Sequence, residues 1–361
     1  MSNYNPNLEI PQYLVRHAKS RNISPRDFLI VIFSFKRAKL LFKTTMQTLD
    51  RHLSKARRVI VVSDDDPTLE QYIRYFGREN LYIINKDECQ KERPVDLGDA
   101  YSFKSVISWA RNVQFKVARD LGYKYFVTLE DDYTEFAIRA PYLKSLLTSS
   151  RKSCTERFDE TAEMHFRLLD SAPFLNSVGM AQGGDYLCGL ANSFCKKGYR
   201  MKCMNVIFYR TDREYEFMGR INEDYTAYTV NNQLGRLSLT LFGFSLTQGQ
   251  TQKNAGGATD VYKSYGTWLK SMYSVMFAPS CVCIGIMGYK IFRIHHNSIW
   301  KYCDVKVISS KHAKKIIPFE KCITNVVNGV FGRFSIGKNN FDDIDLKLED
   351  TIINDNNFEE W

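Results

Sequence analysis

The stretch Tyr125-Phe-Val-Thr-Leu-Glu-Asp-Asp-Tyr133 decides the fold of this chain more than any other. Its first five residues form a short apolar run, which is typical of a buried strand in a parallel sheet. Three acids, Glu130, Asp131 and Asp132, follow at once. Ligands of open α/β sheets bind just beyond the carboxyl ends of such strands. Because neighbouring carboxylates repel one another, the stretch indicates a divalent cation bound to a diphosphate, with an ordinary acidic turn as the alternative.

The residues before this stretch alternate between strand and helix patterns. Apolar, β-branched runs predict strands at 28–33, 58–62, 81–84 and 125–129. Helical periodicity predicts helices at 38–52, 68–76 and 102–121, the last ended by Gly122. Such alternation is typical of parallel βαβ units, so the first half is predicted to be a doubly wound, nucleotide-binding α/β sheet. Neither a dinucleotide glycine fingerprint nor a Gly-x4-Gly-Lys-Ser/Thr loop occurs, which disfavours NAD(P)-binding enzymes and P-loop NTPases.

The second half has a less regular pattern. Strands are predicted at 177–181, 204–209, 237–246 and 305–309, and a helix at 262–276. A loop rich in glycine and side-chain amides lies at 249–257. Because no repeat or low-complexity linker separates the halves, we expect one continuous domain.

Composition narrows the class of protein. Hydrophobic residues make up 44% of the 361 residues, enough for a full core. No apolar stretch reaches the roughly 18 residues of a transmembrane helix, and the first residues have no apolar signal region, so we expect a cytoplasmic protein that does not bind a membrane. The nine cysteines are scattered without zinc-site spacing, and we expect them to be reduced.

Charge is unevenly distributed along the chain. The formal net charge is +10, but residues 341–361 hold eight acids against Lys347 alone, a net of −7. The first 340 residues therefore carry +17. A body this basic concentrates polyanions at its surface and favours a nucleic acid partner, although solvated basic faces are the alternative.

Several polar clusters follow the predicted strands or lie in loops, where binding sites are common. Ser34 and Arg37 follow the first strand, and Asp64 and Asp65 follow the second. Arg111-Asn112 lies midway along a predicted helix, where it either reaches the sheet edge or forms a solvated face.

Two further clusters supply the groups that a transfer reaction needs. In Gly219-Arg-Ile-Asn-Glu-Asp-Tyr225, Glu223 or Asp224 is placed to act as a general base toward an attacking hydroxyl, or to pair with Arg220 in a structural loop. His295 and His296 follow an apolar run, and histidine is a common metal ligand that can complete a carboxylate site.

These residues together resemble the TET-associated glycosyltransferases, which have a GT-A-type fold and are linked with modified bases in phage and eukaryotic DNA. The resemblance is spread over residues 28–310, and its most specific segments are Gly-Arg-Ile-Asn-Glu-Asp-Tyr at 219–225 and Arg-Ile-His-His at 293–296. It implies an α/β fold with a mostly parallel Rossmann-like sheet flanked by helices. The metal motif begins here with Glu130 rather than aspartate, which leaves open which acid contacts the metal.

The resemblance also implies the function and the division of the chain. It implies that a sugar is transferred from a nucleotide-sugar to hydroxymethylated pyrimidines, such as hydroxymethylcytosine, in double-stranded bacteriophage DNA. The nucleotide-sugar that it implies is a UDP-sugar. A GT-A-like catalytic domain is expected at 25–318, with a nucleotide-sugar half at 25–135 and an acceptor half at 136–318. Residues 1–24 and 319–361 are expected to be an N-terminal and an acidic C-terminal extension.

Roles for individual residues follow from the same resemblance. Mn²⁺ or Mg²⁺ is expected on Glu130, Asp132 and one of His295 and His296, and proton abstraction is assigned to Asp224 before Glu223. The nucleotide-sugar is expected on Ser34, Arg37, Asp64, Asp65, Arg111, Asn112 and Asp131. The acceptor or sugar pocket is expected at Gln252, Gly256 and Gly257.

Three other functions are compatible with the same clusters. A glycosyltransferase that builds surface glycans would keep the fold and change the acceptor. A nucleotidyltransferase also uses metal-bound carboxylates, and a non-catalytic DNA-binding protein would need only the basic body.

Overall fold

The computed structural model describes residues 24–100, 107–139, 151–153, 158–172, 175–182, 203–234, 236–249, 258–266, 268–288, 292–298, 306–308 and 316–318. The predicted terminal extensions lie almost wholly outside these residues. No helix among the described residues has the length and apolar character needed to cross a membrane.

The first half of the chain forms a parallel sheet. Its strands are β1 (Phe28–Phe33), β2 (Arg57–Ser63), β3 (Leu81–Ile84) and β4 (Tyr125–Leu129). They lie in the order β3-β2-β1-β4 and all pair in parallel. Every residue of β1 and β4 is buried, because helices cover both faces of this part of the sheet. All four strands were predicted, and their positions are confirmed.

The helices of this half connect consecutive strands. Helix α1 runs over 38–51, where a π-helical turn, Phe42–Met46, lies between the α-helical turns Ala38–Leu41 and Gln47–Arg51. The others are α2 (Leu69–Phe76), α3 (Lys86–Glu92) and α4 (Ser108–Asp120). Helix α4 ends before Gly122, whose φ of 78° is the left-handed conformation expected of a glycine after a helix.

Five further strands extend the same sheet into the second half. They are β5 (Tyr133–Arg139), β6 (Arg151–Ser153), β7 (Leu175–Gln182), β8 (Ile207–Arg210) and β9 (Leu237–Gln248). The described sheet has nine strands in the order β3-β2-β1-β4-β8-β7-β9-β5-β6. The pairings give seven of these the same direction, with β8 and β5 opposed. The predicted α/β fold with a mostly parallel sheet is confirmed.

The remaining elements lie around the second half. Helices α5 (Phe158–Ser171) and α6 (Glu223–Gln233) precede α7 (Ala258–Tyr265) and α8 (Leu269–Phe277). Two antiparallel pairs follow, β10 (Val282–Met287) with β11 (Arg293–Ser298), and β12 (Lys306–Ile308) with β13 (Ile316–Pro318).

Two predictions for this half need correction. The predicted helix at 262–276 is divided into α7 and α8 because Gly266 has a φ of 87°, which a continuous right-handed helix does not accommodate. The predicted strand at 204–209 begins only at Ile207, since Asn205 has a φ of 65°. Strands β5 and β6 and the β10–β11 hairpin were not predicted.

Candidate functional site

The register of β1 and β4 places two polar residues side by side at the end of the sheet. Ile32 pairs with Leu129, so the residues that follow, Ser34 and Asp131, come opposite one another. Oγ of Ser34 donates a hydrogen bond of 2.8 Å to Oδ2 of Asp131. Nη1 of Arg37 binds Oδ1 of the same carboxylate at 3.2 Å. The sequence predicted that these three residues share a site, and the structure brings them together.

Helix α2 adds a tyrosine to this cluster. The hydroxyl of Tyr72 lies 2.6 Å from Oγ of Ser34 and accepts a hydrogen bond of 3.1 Å from the backbone nitrogen of Arg37. Burial raises the pKa of Tyr72 well above its usual value, so the hydroxyl stays protonated. Sequence reasoning missed Tyr72, because a tyrosine in an amphipathic helix is ordinarily explained by packing alone.

Threonines of α1 hold the backbone of the acidic turn after β4. Thr44 and Thr45 donate to the carbonyls of Asp131 and Glu130, at 2.6 and 2.7 Å. One turn later, Thr48 donates to the carbonyl of Tyr133 at 3.0 Å. The contacts of Thr44 and Thr45 arise at the π-helical turn of α1, and such turns are frequent at functional sites. The spacing Thr-Thr-x-x-Thr was the available signal, and sequence reasoning did not use it.

Two acids of this turn, Asp131 and Asp132, have raised pKa values. Burial, with Glu130 nearby, raises the pKa of Asp131 to about 6 against the opposing effect of Arg37. Burial and the charges of Glu130 and Asp131 raise the pKa of Asp132 to about 7. Oδ1 of Asp132 is buried and has no hydrogen-bond partner among the described residues. A buried carboxylate oxygen without a described donor is one ligand that a hard divalent cation would accept.

Arg111 of α4 joins the acidic turn to the acid pair of the second half. Its Nη2 donates to Oε1 of Glu130 at 2.8 Å, and its Nε lies 3.3 Å from Oε1 of Glu223. The guanidinium also stacks over the ring of Phe33, 4.8 Å from its centroid. Burial alone would lower the pKa of Arg111, but Glu130 and Glu223 outweigh it and raise the pKa. Nη1 of Arg111 is buried without a partner among the described residues and is available to an anionic ligand.

Glu223 and Asp224 open helix α6 directly after Asn222, whose φ of 61° turns the chain into the helix. Glu223 is buried, and both its burial and the charge of Asp224 raise its pKa despite Arg111. Asp224 is only half-buried. Its charge acts on Lys270 of α8 and on Tyr262 of α7. Of the two acids, Asp224 is therefore the more accessible to an acceptor.

Asn112, which was predicted to contact the nucleotide-sugar, bonds to the backbone of Phe217. Its side-chain nitrogen donates to the carbonyl of Phe217 at 2.9 Å, and its side-chain oxygen accepts from the nitrogen of Phe217 at 2.8 Å. Both polar atoms thus hold the backbone that leads to Glu223. Asn112 thus has a positioning contact within the protein, and its contact with the nucleotide-sugar stays a prediction.

Asp64 and Asp65 lie at the end of β2, one strand away from Ser34. Asp64 accepts a hydrogen bond from Asn85 at 2.7 Å, and Asp65 forms an ion pair with Lys86 at 2.8 Å. Although burial opposes it, Lys86 lowers the pKa of Asp65. Nζ of Lys86 also lies 4.0 Å from the ring centroid of Phe35. Both acids occupy the predicted sheet edge, and neither has a described contact with Asp131.

The two histidines lie on β11, and their described contacts are with residues other than those of the acidic turn after β4. The ring of His296 packs against Tyr225 of α6, with centroids 4.0 Å apart. Nδ1 of His295 contacts the carbonyl of His296 at 2.6 Å. Within the described part of the chain, neither histidine bonds to an acid, and no group of three His, Cys, Asp or Glu side chains is arranged to hold a metal ion. Burial lowers the pKa of His296 to about 3, so its ring is neutral, and its Nδ1 is buried without a partner among these residues.

The predicted acceptor or sugar pocket at Gln252, Gly256 and Gly257 lies outside the described residues.

Comparison with known proteins gives a family match. The model of the family described as TET-Associated Glycosyltransferase matches residues 28–257, which include both the acidic turn and the acid pair of α6. A comparison with curated protein sequences finds no significant match.

Solved glycosyltransferases resemble the fold at low sequence identity. S. aureus TarS 1–349 is 14% identical, with a TM-score of 0.35, and the match covers 70% of this chain and 66% of TarS, slightly less than two thirds. Glucosyl-3-phosphoglycerate synthase from Mycobacterium tuberculosis, in complex with Mn²⁺, UDP and glucosyl-3-phosphoglycerate, is 9% identical with a TM-score of 0.40, covering 82% of this chain and 93% of that one. Mannosyltransferase PcManGT from Pyrobaculum calidifontis, in complex with GDP-Man and Mn²⁺, is 13% identical with a TM-score of 0.39, covering 74% and 73%. At these values, family membership rests on the sequence match.

Proposed function

Because the chain belongs to the TET-associated glycosyltransferase family, we propose that it transfers a sugar from a nucleoside-diphosphate sugar to hydroxymethylated pyrimidine bases in DNA. The enzyme class follows from family membership. The proposed donor is a UDP-sugar, and the proposed acceptor is hydroxymethylcytosine in bacteriophage DNA within the cytoplasm of the host, as the resemblance of the motifs implies.

One observation carries this proposal: Arg111 contacts an acid of each motif. Glu130 belongs to the turn after β4, and Glu223 opens α6, 93 residues further along the chain. A reaction that joins a donor to an acceptor needs the leaving group and the attacking hydroxyl at one place. Through Arg111, Glu130 of the donor motif and Glu223, the neighbour of the proposed general base Asp224, are joined in one cluster.

The donor side of the reaction falls to residues at the ends of β1 and β4. The cluster of Ser34, Arg37, Tyr72 and Asp131 offers hydroxyls, a guanidinium and a carboxylate to the nucleoside and ribose. Nη1 of Arg111, buried and without a described partner, is proposed to donate to the diphosphate as negative charge develops there. Asp64 and Asp65 are proposed to border the nucleoside from β2.

Asp132, with Glu130 beside it, is the part of the described chain that would hold Mn²⁺ or Mg²⁺. The cation, when bound, would stabilise charge on the departing diphosphate. Burial and the charges of Glu130 and Asp131 raise the pKa of Asp132, and a bound cation would offset both effects. His295 or His296 would join this set only by moving from its described contacts, so the acids are assigned first.

The acceptor side falls to Asp224. Its half-buried carboxylate is placed to take the proton of the acceptor hydroxyl, while Glu223 is held by Arg111 and less available. Burial and Arg293 lower the pKa of Lys270 while Asp224 raises it, so Lys270 and Asp224 lie within electrostatic reach of each other.

DNA as the acceptor is supported by charge. The first 340 residues carry a formal +17, which favours binding to a phosphate backbone. The 5-position of pyrimidines faces the major groove, so a hydroxymethyl group there is reachable in a duplex or after the base is flipped out.

Mass spectrometry of nucleosides tests the proposal. Hydroxymethylcytosine duplex DNA is incubated with the protein, Mn²⁺ and each of a panel of nucleotide-sugars, then digested. A hexosyl- or pentosyl-hydroxymethylcytosine is the expected product. A nucleotide adduct on the product would indicate a nucleotidyltransferase, and sugar transferred only to glycan acceptors would replace DNA as the acceptor.

A further inference from the structure

The β10–β11 hairpin carries an apolar face that passes from the core into solvent. Residues 282, 284 and 286 pair with 298, 296 and 294, and side chains alternate between the two faces of a hairpin. Val282 and His296 on this face are buried, whereas Ile284, Ile286 and Ile294 are 42%, 76% and 43% exposed. The face therefore begins against the body of the protein and ends as an uncovered apolar surface.

Further large apolar side chains lie at the same end of the hairpin. Phe292 is 70% exposed and directly precedes β11. Single exposed apolar residues are ordinary, but a contiguous group at the tip of one element is typical of an interaction site. We refer to Ile284, Ile286, Phe292 and Ile294 as the hairpin surface.

The hairpin surface is continuous with the proposed acceptor site. His296 packs on Tyr225, and Tyr225 directly follows Asp224. Ile286 and Ile294 form the next pair on this face, two residues beyond Ile284 and His296, which places them about 7 Å further along the strands. A ligand that lies on the hairpin surface is thus adjacent to the helix that carries the proposed base.

Positive charge borders this surface. Arg293 is exposed at the start of β11, and it lies close enough to Lys270 of α8 for the two to repel each other. Two copies of a surface with a cationic border repel each other, which disfavours self-association through it. The same border attracts an anionic polymer, and the apolar side chains favour one that also exposes apolar groups. Nucleic acid has that character, since phosphates alternate with bases whose faces are apolar.

We propose that the hairpin surface is a wedge that inserts apolar side chains into the base stack of the DNA acceptor and opens it beside Asp224. Proteins that kink or open DNA use phenylalanine, isoleucine, leucine and methionine side chains in this way. The inference rests on the proposed DNA acceptor, and it assigns to this chain the element that gives the site access to a base within a duplex.

The test uses the full chain and a duplex with 2-aminopurine next to the target base, because fluorescence of 2-aminopurine rises when its stacking is lost. The variant replaces Ile286→Ser and Phe292→Ser together, since both side chains are largely exposed and contribute little to folding. Leu234→Ser is the matched control, because Leu234 is 65% exposed at the far end of α6. Each variant is first shown to unfold at the wild-type temperature.

Wild-type protein and Leu234→Ser should raise the fluorescence on binding, and the double variant should not. The ratio of transfer to duplex DNA over transfer to the free hydroxymethylated nucleoside should fall at least tenfold in the double variant. If the double variant raised the fluorescence as much as the wild type and kept the same transfer ratio, the wedge would be overturned while the proposed reaction stayed intact. If no DNA base accepts sugar but the fluorescence difference persists, the wedge stands and the proposed reaction fails.

Two other occupants of the hairpin surface give different results. If the wild type were a dimer, and the double variant were a monomer that raised the fluorescence as much as the wild type, this face would be an interface between copies. If the wild type bound phosphatidylglycerol vesicles and the double variant did not, while both raised the fluorescence equally, this face would be a membrane contact. Either result overturns the proposal.

Discussion

Nη2 of Arg111 donates a hydrogen bond of 2.8 Å to Oε1 of Glu130, and the arginine side chain is almost wholly withdrawn from solvent. A buried charge of this kind is tolerated only with paired partners, and Glu223 supplies the second carboxylate. The proposed site is therefore organised around a buried cation of the protein itself.

Replacement of Arg111 should lower the stability of the protein. Arg111→Met leaves Glu223 buried without its partner, and we expect the free energy of unfolding to fall by about 3–5 kcal/mol in denaturant titrations. Adding Glu223→Gln should restore part of the loss, since it removes the unpaired charge. Lys116→Met, on the same helix with an i,i+4 partner in Asp120, is the control and should cost about 0.5 kcal/mol or less. A loss below 1 kcal/mol for Arg111→Met would contradict the buried pairing.

Asp224→Asn should separate chemistry from donor binding. The amide keeps the shape of the side chain but cannot accept the acceptor proton, so initial rates of sugar transfer should fall by about 10²-fold or more. The dissociation constant of UDP, measured by calorimetry, should change by less than about twofold. Asp212→Asn is the control. The carboxylate of Asp212 pairs with Arg210 beside the first residue of β4, at the end of that strand away from the acidic turn, so both quantities should stay unchanged. Near-normal turnover of Asp224→Asn would rule out this residue as the base.

Tyr72→Phe tests the hydroxyl network at the end of β1. Loss of the hydroxyl removes contacts to Ser34 and to the backbone of Arg37, and we expect the UDP dissociation constant to rise about three- to tenfold. Tyr75→Phe is the matched control, because Tyr75 lies on the same helix, is 37% exposed and stacks on Phe42. Equal affinities in the two variants would exclude Tyr72 from the nucleotide site.

A buried histidine far from the acids makes stability depend on pH. Burial lowers the pKa of His165 to about 4, and its ring stacks on Phe208 with centroids 4.1 Å apart. Since the unfolded state binds the proton more tightly, stability is lost as the pH falls from about 6.5 toward 4. His165→Phe removes this dependence, so its stability relative to wild type should grow by about 2 kcal/mol between pH 7 and pH 5. Parallel stability curves for the two proteins would show that His165 does not contribute.

The parallel half of the fold was predictable because its strands are continuous apolar runs. The run at 28–33 and the run at 125–129 are both buried on two faces, which is the case in which pattern and structure agree best. The hairpin was missed for the opposite reason, since most of β10 is exposed and its apolar pattern does not report burial. The break at Gly266 depends on a single backbone angle that hydrophobic periodicity does not register.

Within the site, the sequence indicated residue types more reliably than partners. Ser34, Arg37 and Asp131 were assigned to the nucleotide-sugar through the family resemblance, and they lie together because β1 and β4 pair side by side. The contact of Arg111 with Glu130 and Glu223 joins positions 19 and 112 residues away, and no local pattern specifies such distances. The bond of the Asn112 amide to the backbone of Phe217 was not predicted, because an exposed and a buried amide look alike in a sequence.

The central claim is that the acids after β4 hold a cation against the diphosphate of the donor. Calorimetric titration of UDP into wild-type protein and Asp132→Ala, each with Mn²⁺ and with EDTA, tests it most directly. The account predicts that wild type binds UDP far more tightly with Mn²⁺ than with EDTA, and that Asp132→Ala binds equally weakly in both. Tight binding of UDP in EDTA, or an undiminished response to Mn²⁺ in Asp132→Ala, would contradict it.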